Sequence, residues 1–103
     1  MENGRPVTKP SEALTARRDE LRQLIGRYSV AYPRVYGSVL TGEDDDESDL
    51  DLLVEATERT TLFTLVGLEH EAQRLFGVQV LVLTPKDLPM QVRNEVLQIA
   101  QPL

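Results

Sequence analysis

A chain of 103 residues fits one small domain, and 41% hydrophobic content supplies one core but not a second, substrate-holding domain. The absence of cysteine excludes a disulfide framework, a thiolate nucleophile and a Cys-based zinc site, and the single histidine, His70, excludes multi-His metal chemistry. A formal net charge of −6 argues against nonspecific nucleic-acid binding, which needs clustered Lys and Arg, so no direct nucleic-acid partner is expected.

Residues 1–10, with Gly4, Pro6 and Pro10 and little apolar content, read as a flexible tail, leaving residues 11–103 as the domain. Met1–Pro6 lacks the apolar core of a signal peptide, and no apolar run approaches the roughly 18 residues of a membrane span. A cytoplasmic protein with no membrane partner is expected. Ser11 is placed to cap a helix reaching to about Tyr28, with Leu14, Leu21, Leu24, Ile25 and Tyr28 on one face. Arg17, Arg18 and Arg22 cluster on its polar side and read as a solvated face rather than a phosphate contact.

Pro33 is expected to break the chain before a short strand, Arg34–Tyr36, which ends at Gly37-Ser38. Gly42 permits a further turn, and Glu43–Glu47 read as a solvated acidic loop. Leu50–Val54 form a second strand. Thr60 and Thr61 offer caps for a helix over Leu62–Phe76, with Leu62, Leu65, Val66, Ala72, Leu75 and Phe76 as its buried stripe and Gly77 as its stop. Val78–Leu83 is a nearly continuous apolar run, as in a central strand. Thr84-Pro85 starts another helical turn, and a helix from about Met90 to Gln101 buries Val92, Val96, Ile99 and Ala100. This order predicts an α/β (α+β) sandwich: a small mixed sheet flanked by about four helices.

The chemistry concentrates at Asp49 and Asp51. Residues two apart on a strand share a face, so both carboxylates project together while Leu50, Leu52 and Val54 point the other way. Like charges held side by side repel unless a cation lies between them. Hard oxygen ligands suit Mg²⁺. A charge inside an apolar strand, as at Asp51, is costly unless paired or metal-bound.

Gly37-Ser38, ten intervening residues, then Asp49-Leu50-Asp51 resembles the Gly-Ser-x10-Asp-x-Asp motif of the nucleotidyltransferase superfamily that includes DNA polymerase β. The chain looks most like its minimal nucleotidyltransferases, the small partners of HEPN-domain proteins. The resemblance runs from about residue 12 to Leu103 and includes Gly42-Glu43, Ser48–Val54, Thr61-Leu62-Phe63 and Ala100–Leu103. It implies a palm-like fold, with Asp49 and Asp51 as catalytic Mg²⁺ ligands and Gly37 and Ser38 at the phosphates of a nucleoside triphosphate. It further implies a protein adenylyltransferase that moves AMP from ATP to a partner hydroxyl and acts as antitoxin to a HEPN-domain toxin.

Two departures stand out. The family usually places a third carboxylate on the strand after the second helix, where this chain has Leu81 in Val80-Leu81-Val82-Leu83-Thr84. It also often carries Arg soon after Gly-Ser, where this chain has Val39, Leu40 and Thr41. An alternative is therefore a degenerate binding module that neutralises a HEPN ribonuclease by contact, its acidic loop facing a basic surface. A third reading is transfer to a small molecule such as an aminoglycoside. Homo-oligomer and hetero-oligomer both stay open.

Overall fold

The computed structural model describes residues 9–103. Most of the expected tail lies outside that range, but Pro10 is the first residue of a helix, α1, Pro10–Ile25. Proline suits this position because its φ is already helical and it has no N–H left to satisfy. Ser11 is therefore inside the helix rather than its cap. Its N–H donates to Asp44 Oδ2 at 2.8 Å, so the acidic loop caps α1 from outside. The helix ends before Gly26, and Tyr28 packs on the core from the following loop, its hydroxyl donating to the Gly67 carbonyl at 3.2 Å.

The remaining elements are β1 (Val30–Tyr36), α2 (Ser38–Thr41), β2 (Leu50–Ala56), α3 (Leu62–Phe76), β3 (Val80–Leu83), α4 (Met90–Ile99) and β4 (Gln101–Pro102). A 3₁₀ turn over Pro85–Asp87 precedes α4. The sheet order is β3-β2-β1-β4, with β2 parallel to β3 and antiparallel to β1, and β4 antiparallel to β1. The sheet is thus mixed, and among the described residues four α-helices accompany it, as expected.

Pro33 does not break the chain. It lies inside β1 at an irregularity between Ala31 and Arg34, beside Tyr32, whose φ is +48°. A bulge is where a strand tolerates proline. On α3, Thr61 caps the start through Thr64 N at 3.2 Å, and Gly77 closes the end in a left-handed conformation at φ +72°. Its buried side chains are Leu68, Ala72 and Phe76, with Leu65 and Leu75 partly covered. Leu62 and Val66 fall round the helix from that stripe and are exposed.

The core joins α1 and α3 to one face of the sheet through Leu21, Leu24, Val35, Leu50, Leu52, Val54, Leu68 and Val82. That face is filled by α1 and α3, and α4 is not part of this core. It buries no side chain, and Val92 and Ile99 are 40% and 47% exposed, against expectation. Leu53 is fully buried although it faces the opposite side from Leu52; the turn that packs on β2 there leads into the buried Leu88.

The arginines of α1 are not a free solvated face. Arg17 Nη1 donates to the Leu75 carbonyl at 2.6 Å, where α1 is kinked, and Arg18 and Arg22 both donate to the Leu103 carbonyl. They tie α1 to the end of α3 and to the last residue.

Candidate active site at the Gly37 turn

β1 and β2 bring the candidate residues to one end of the sheet. Tyr36, the last residue of β1, is in register with Asp51 of β2. Gly37 then leaves the strand at φ +85°, ψ −155°, a conformation open to glycine and strained for other residues. Ser38 opens the four-residue α2, a helix with no counterpart among the predicted elements. Its carbonyl accepts from Glu43 N at 3.2 Å and Thr41 Oγ1 at 3.1 Å, which fixes the turn. Gly42 ends α2 at φ +75°.

The acidic stretch is built, not merely solvated. Asp44 is buried while it caps α1. Burial alone would raise its pKa, but the Ser11 hydrogen bonds and the nearby Lys9 charge outweigh that and lower it. Asp45 Oδ1 accepts from Glu47 N at 2.9 Å, and Asp45 N donates to Ser48 Oγ at 2.9 Å, closing a tight turn. That turn delivers the chain to β2, whose first residue donates its N–H to the Gln79 carbonyl at 2.8 Å.

Asp49 is exposed just before β2, and Asp51 is half-buried on it. The Asp51 carboxyl is pushed up to about 6, first by burial and then by the charge of Asp49. Tyr36 is raised to about 12 by burial and then by Asp51. Tyr36 was not singled out by sequence; its place directly before Gly37 on a strand was the available signal. On the other side of Asp51 stands Leu81, its register partner on β3, 38% exposed. One row across the sheet therefore reads Tyr36, Asp51, Leu81. Asp87 is engaged elsewhere, accepting from Thr84 N at 3.0 Å and Thr84 Oγ1 at 2.9 Å.

Among the described residues no group of three or more His, Asp or Glu side chains could hold a metal. Two carboxylates remain, and two suffice for Mg²⁺ when substrate phosphates supply further oxygens. The raised Asp51 pKa fits such a site, because burial and the Asp49 charge both disfavour a bare carboxylate there and a bound cation would offset both. No helix among the described residues is long and apolar enough to cross a membrane.

A Gly-Ser turn beside paired carboxylates, on a sheet backed by two helices, is a nucleotidyltransferase arrangement. Residues 17–101 match the nucleotidyltransferase domain family, and the chain belongs to that family as a minimal nucleotidyltransferase domain. It is 33% identical over 85 residues to protein adenylyltransferase MntA of Thermococcus cleftensis, covering 82% of this chain and 83% of the relative. A Methanocaldococcus jannaschii protein proposed to be a protein adenylyltransferase is 31% identical over 74 residues, covering 72% and 80%. A solved structure of a candidate minimal nucleotidyltransferase superposes with TM-score 0.79 at 39% identity, over 90% of this chain and 95% of that one. A toxin–antitoxin structure with AMP-PNP shares the fold, with TM-score 0.70 at 14% identity over 82% of this chain and 69% of that one.

Proposed function

We propose that this chain is a protein adenylyltransferase that moves AMP from ATP to a hydroxyl on a HEPN-domain toxin and so acts as its antitoxin in the cytoplasm. The observation that carries the reading is the placement of Asp51 beside the Gly37 turn, with Asp49 two residues before it. The kinship with a protein adenylyltransferase supports the class of acceptor. Asp49 and Asp51 would hold Mg²⁺, which supplies charge neutralisation on the triphosphate and on the leaving pyrophosphate. The Ser38 hydroxyl and the turn's backbone N–H groups would bind phosphate oxygens. Protons compete with the metal for Asp51, so at subsaturating Mg²⁺ activity should fall as pH drops through about 6.

The test is incubation with ATP, Mg²⁺ and a HEPN-domain protein encoded beside this one, followed by intact-mass analysis. An AMP-sized gain on the partner, lost in Asp51→Ala, is expected. No gain with wild type would sink the proposal.

Leu81 favours a second reading, a binding module that neutralises its partner by contact, because no carboxylate stands there to activate the attacking hydroxyl. Under that reading the double variant Asp49→Asn, Asp51→Asn neutralises as well as wild type. Loss of neutralisation with complex formation intact rules it out.

A further inference from the structure

Among the described residues, three glycines hold positive φ: Gly37 at +85°, Gly42 at +75° and Gly77 at +72°. All three are favoured by backbone conformation, but only one also needs the absence of a side chain. A Cβ at Gly42 or Gly77 would meet nothing within 4 Å. A Cβ at Gly37 would lie 2.5 Å from Asp51 Oδ2, 3.4 Å from its Cγ and 3.6 Å from its Cβ. The first distance is far inside the roughly 3.5 Å at which heavy atoms attract. The three nearest atoms all belong to Asp51, so the space left open at Gly37 is taken by that carboxylate.

We propose that Gly37 is a positioning residue for Asp51: its missing side chain is the seat that holds the carboxylate against the turn at the start of α2. Register explains why the seat forms there. Tyr36 pairs with Asp51, so the next residue of β1 passes beside the Asp51 side chain as the chain turns away. Any larger residue at 37 forces Asp51 into another rotamer or opens the end of the β1–β2 pair. The glycine of Gly37-Ser38 thus serves the carboxylate directly, whatever it also does for a phosphate. The functional consequence rests on Asp51 being a metal-binding carboxylate; the packing does not.

A mutant cycle separates the seat from the backbone conformation. Gly37→Ala should lower the Tm more than Gly77→Ala for two reasons: the backbone at φ +85°, ψ −155° is nearly closed to other residues, whereas Gly77 at φ +72°, ψ 16° is ordinary left-handed backbone, and the seat is lost. In an Asp51→Ala background the Gly37→Ala loss should shrink by the part the seat contributes, leaving only the cost of the Gly37 backbone conformation. In an Asp51→Asn background, which keeps the volume, it should stay at full size. If Gly37→Ala does not fold, the pair with Asp51→Ala should fold while the pair with Asp51→Asn should not. Equal losses in all three backgrounds overturn the proposal.

The second readout is affinity for Mn²⁺ with a non-hydrolysable ATP analogue. Folded Gly37→Ala should lose tenfold or more, and Gly77→Ala should match wild type. Unchanged affinity in folded Gly37→Ala overturns the positioning role. If wild type itself binds no Mn²⁺–nucleotide, the metal reading falls, and the stability cycle still decides the seat.

Discussion

Asp51→Asn should stabilise the metal-free protein. The folded carboxyl titrates near 6, against roughly 3.9 for an unfolded aspartate, about two units at 1.36 kcal/mol each. That would be about 3 kcal/mol for a fully buried group. Asp51 is partly exposed and water screens part of its repulsion with Asp49, which reduces the expected gain to about 1 kcal/mol. The sign follows from proton counting. Between about pH 4 and 6 the native state holds more protons than the unfolded one, so wild-type stability falls as pH rises through that window. The amide of the Asp51→Asn variant has no such titration. Urea unfolding followed by circular dichroism from pH 4 to 8 should show the two proteins nearly equal at pH 4 and separated above pH 6. For a domain of this size about 1 kcal/mol corresponds to about 4–8 °C in Tm. Mg²⁺ with ATP analogue should reverse the order, since ligand at 100 times its Kd adds about 2.7 kcal/mol to wild type alone. A difference that is absent, or that does not change with pH, refutes the account of Asp51 as an unneutralised carboxylate.

The other predictions concern the parts around it. Asp44→Ala removes the carboxylate that caps α1 and should destabilise by about 1 kcal/mol at pH 7, read by thermal melting. The folded pKa of Asp44 is lowered, so its contribution is present above the ordinary carboxylate range and fades as pH falls through the folded value; the Ala variant should approach wild type in acid. Glu69 Oε2 accepts from Val82 N at 2.8 Å and Gln73 Nε2 donates to the Val80 carbonyl at 3.2 Å, covering the free edge of β3. Glu69→Ala with Gln73→Ala uncovers that edge and should lose about 2 kcal/mol while raising the mass seen by light scattering; unchanged mass and Tm would show the edge needs no cover. Leu81→Asp puts a carboxylate beside Asp51, so it should lower metal-free stability at pH 7 and tighten Mn²⁺–nucleotide binding in titration calorimetry. Tighter binding without the stability loss would show that residue 81 does not face Asp51.

What was legible in the sequence was short-range. Leu50–Val54 read as a strand from its apolar run, Thr61 and Gly77 marked the ends of α3, and the Gly-Ser-x10-Asp-x-Asp spacing pointed to residues that the fold brings to one end of the sheet. What was not legible depended on distant partners. Asp44 sits in an acidic run that resembles any solvated loop, and only the start of α1, 33 residues away, buries it. The apolar positions of α4 have helical spacing, but spacing cannot say that α1 and α3 already cover the core face. Pro33 signals a break, yet a bulge absorbs it because the irregularity at Ala31–Arg34 leaves its missing N–H without a ladder partner. β4 owes its two residues to pairing with Arg34 and Val35 rather than to its own composition.

Leu81 changes the electrostatics of the site as well as its list of ligands. Burial, and then the charge of Asp49, already raise Asp51 to about 6 without metal, and a third carboxylate in register would add repulsion. An apolar side chain at 81 therefore favours the metal-free fold at the expense of cation affinity. With two protein carboxylates, a bound Mg²⁺ must take its remaining oxygens from water or from the triphosphate. Metal and nucleotide binding should accordingly be strongly coupled: each tightens the other by the same factor, as linkage requires. Calorimetric titrations of Mn²⁺ with and without the ATP analogue test this, with weak binding of the ion alone and at least tenfold tighter binding beside the analogue. Equal affinities would mean that water alone completes the metal's shell beside Asp49 and Asp51 and that the triphosphate does not ligate the ion, which would refute the coupling.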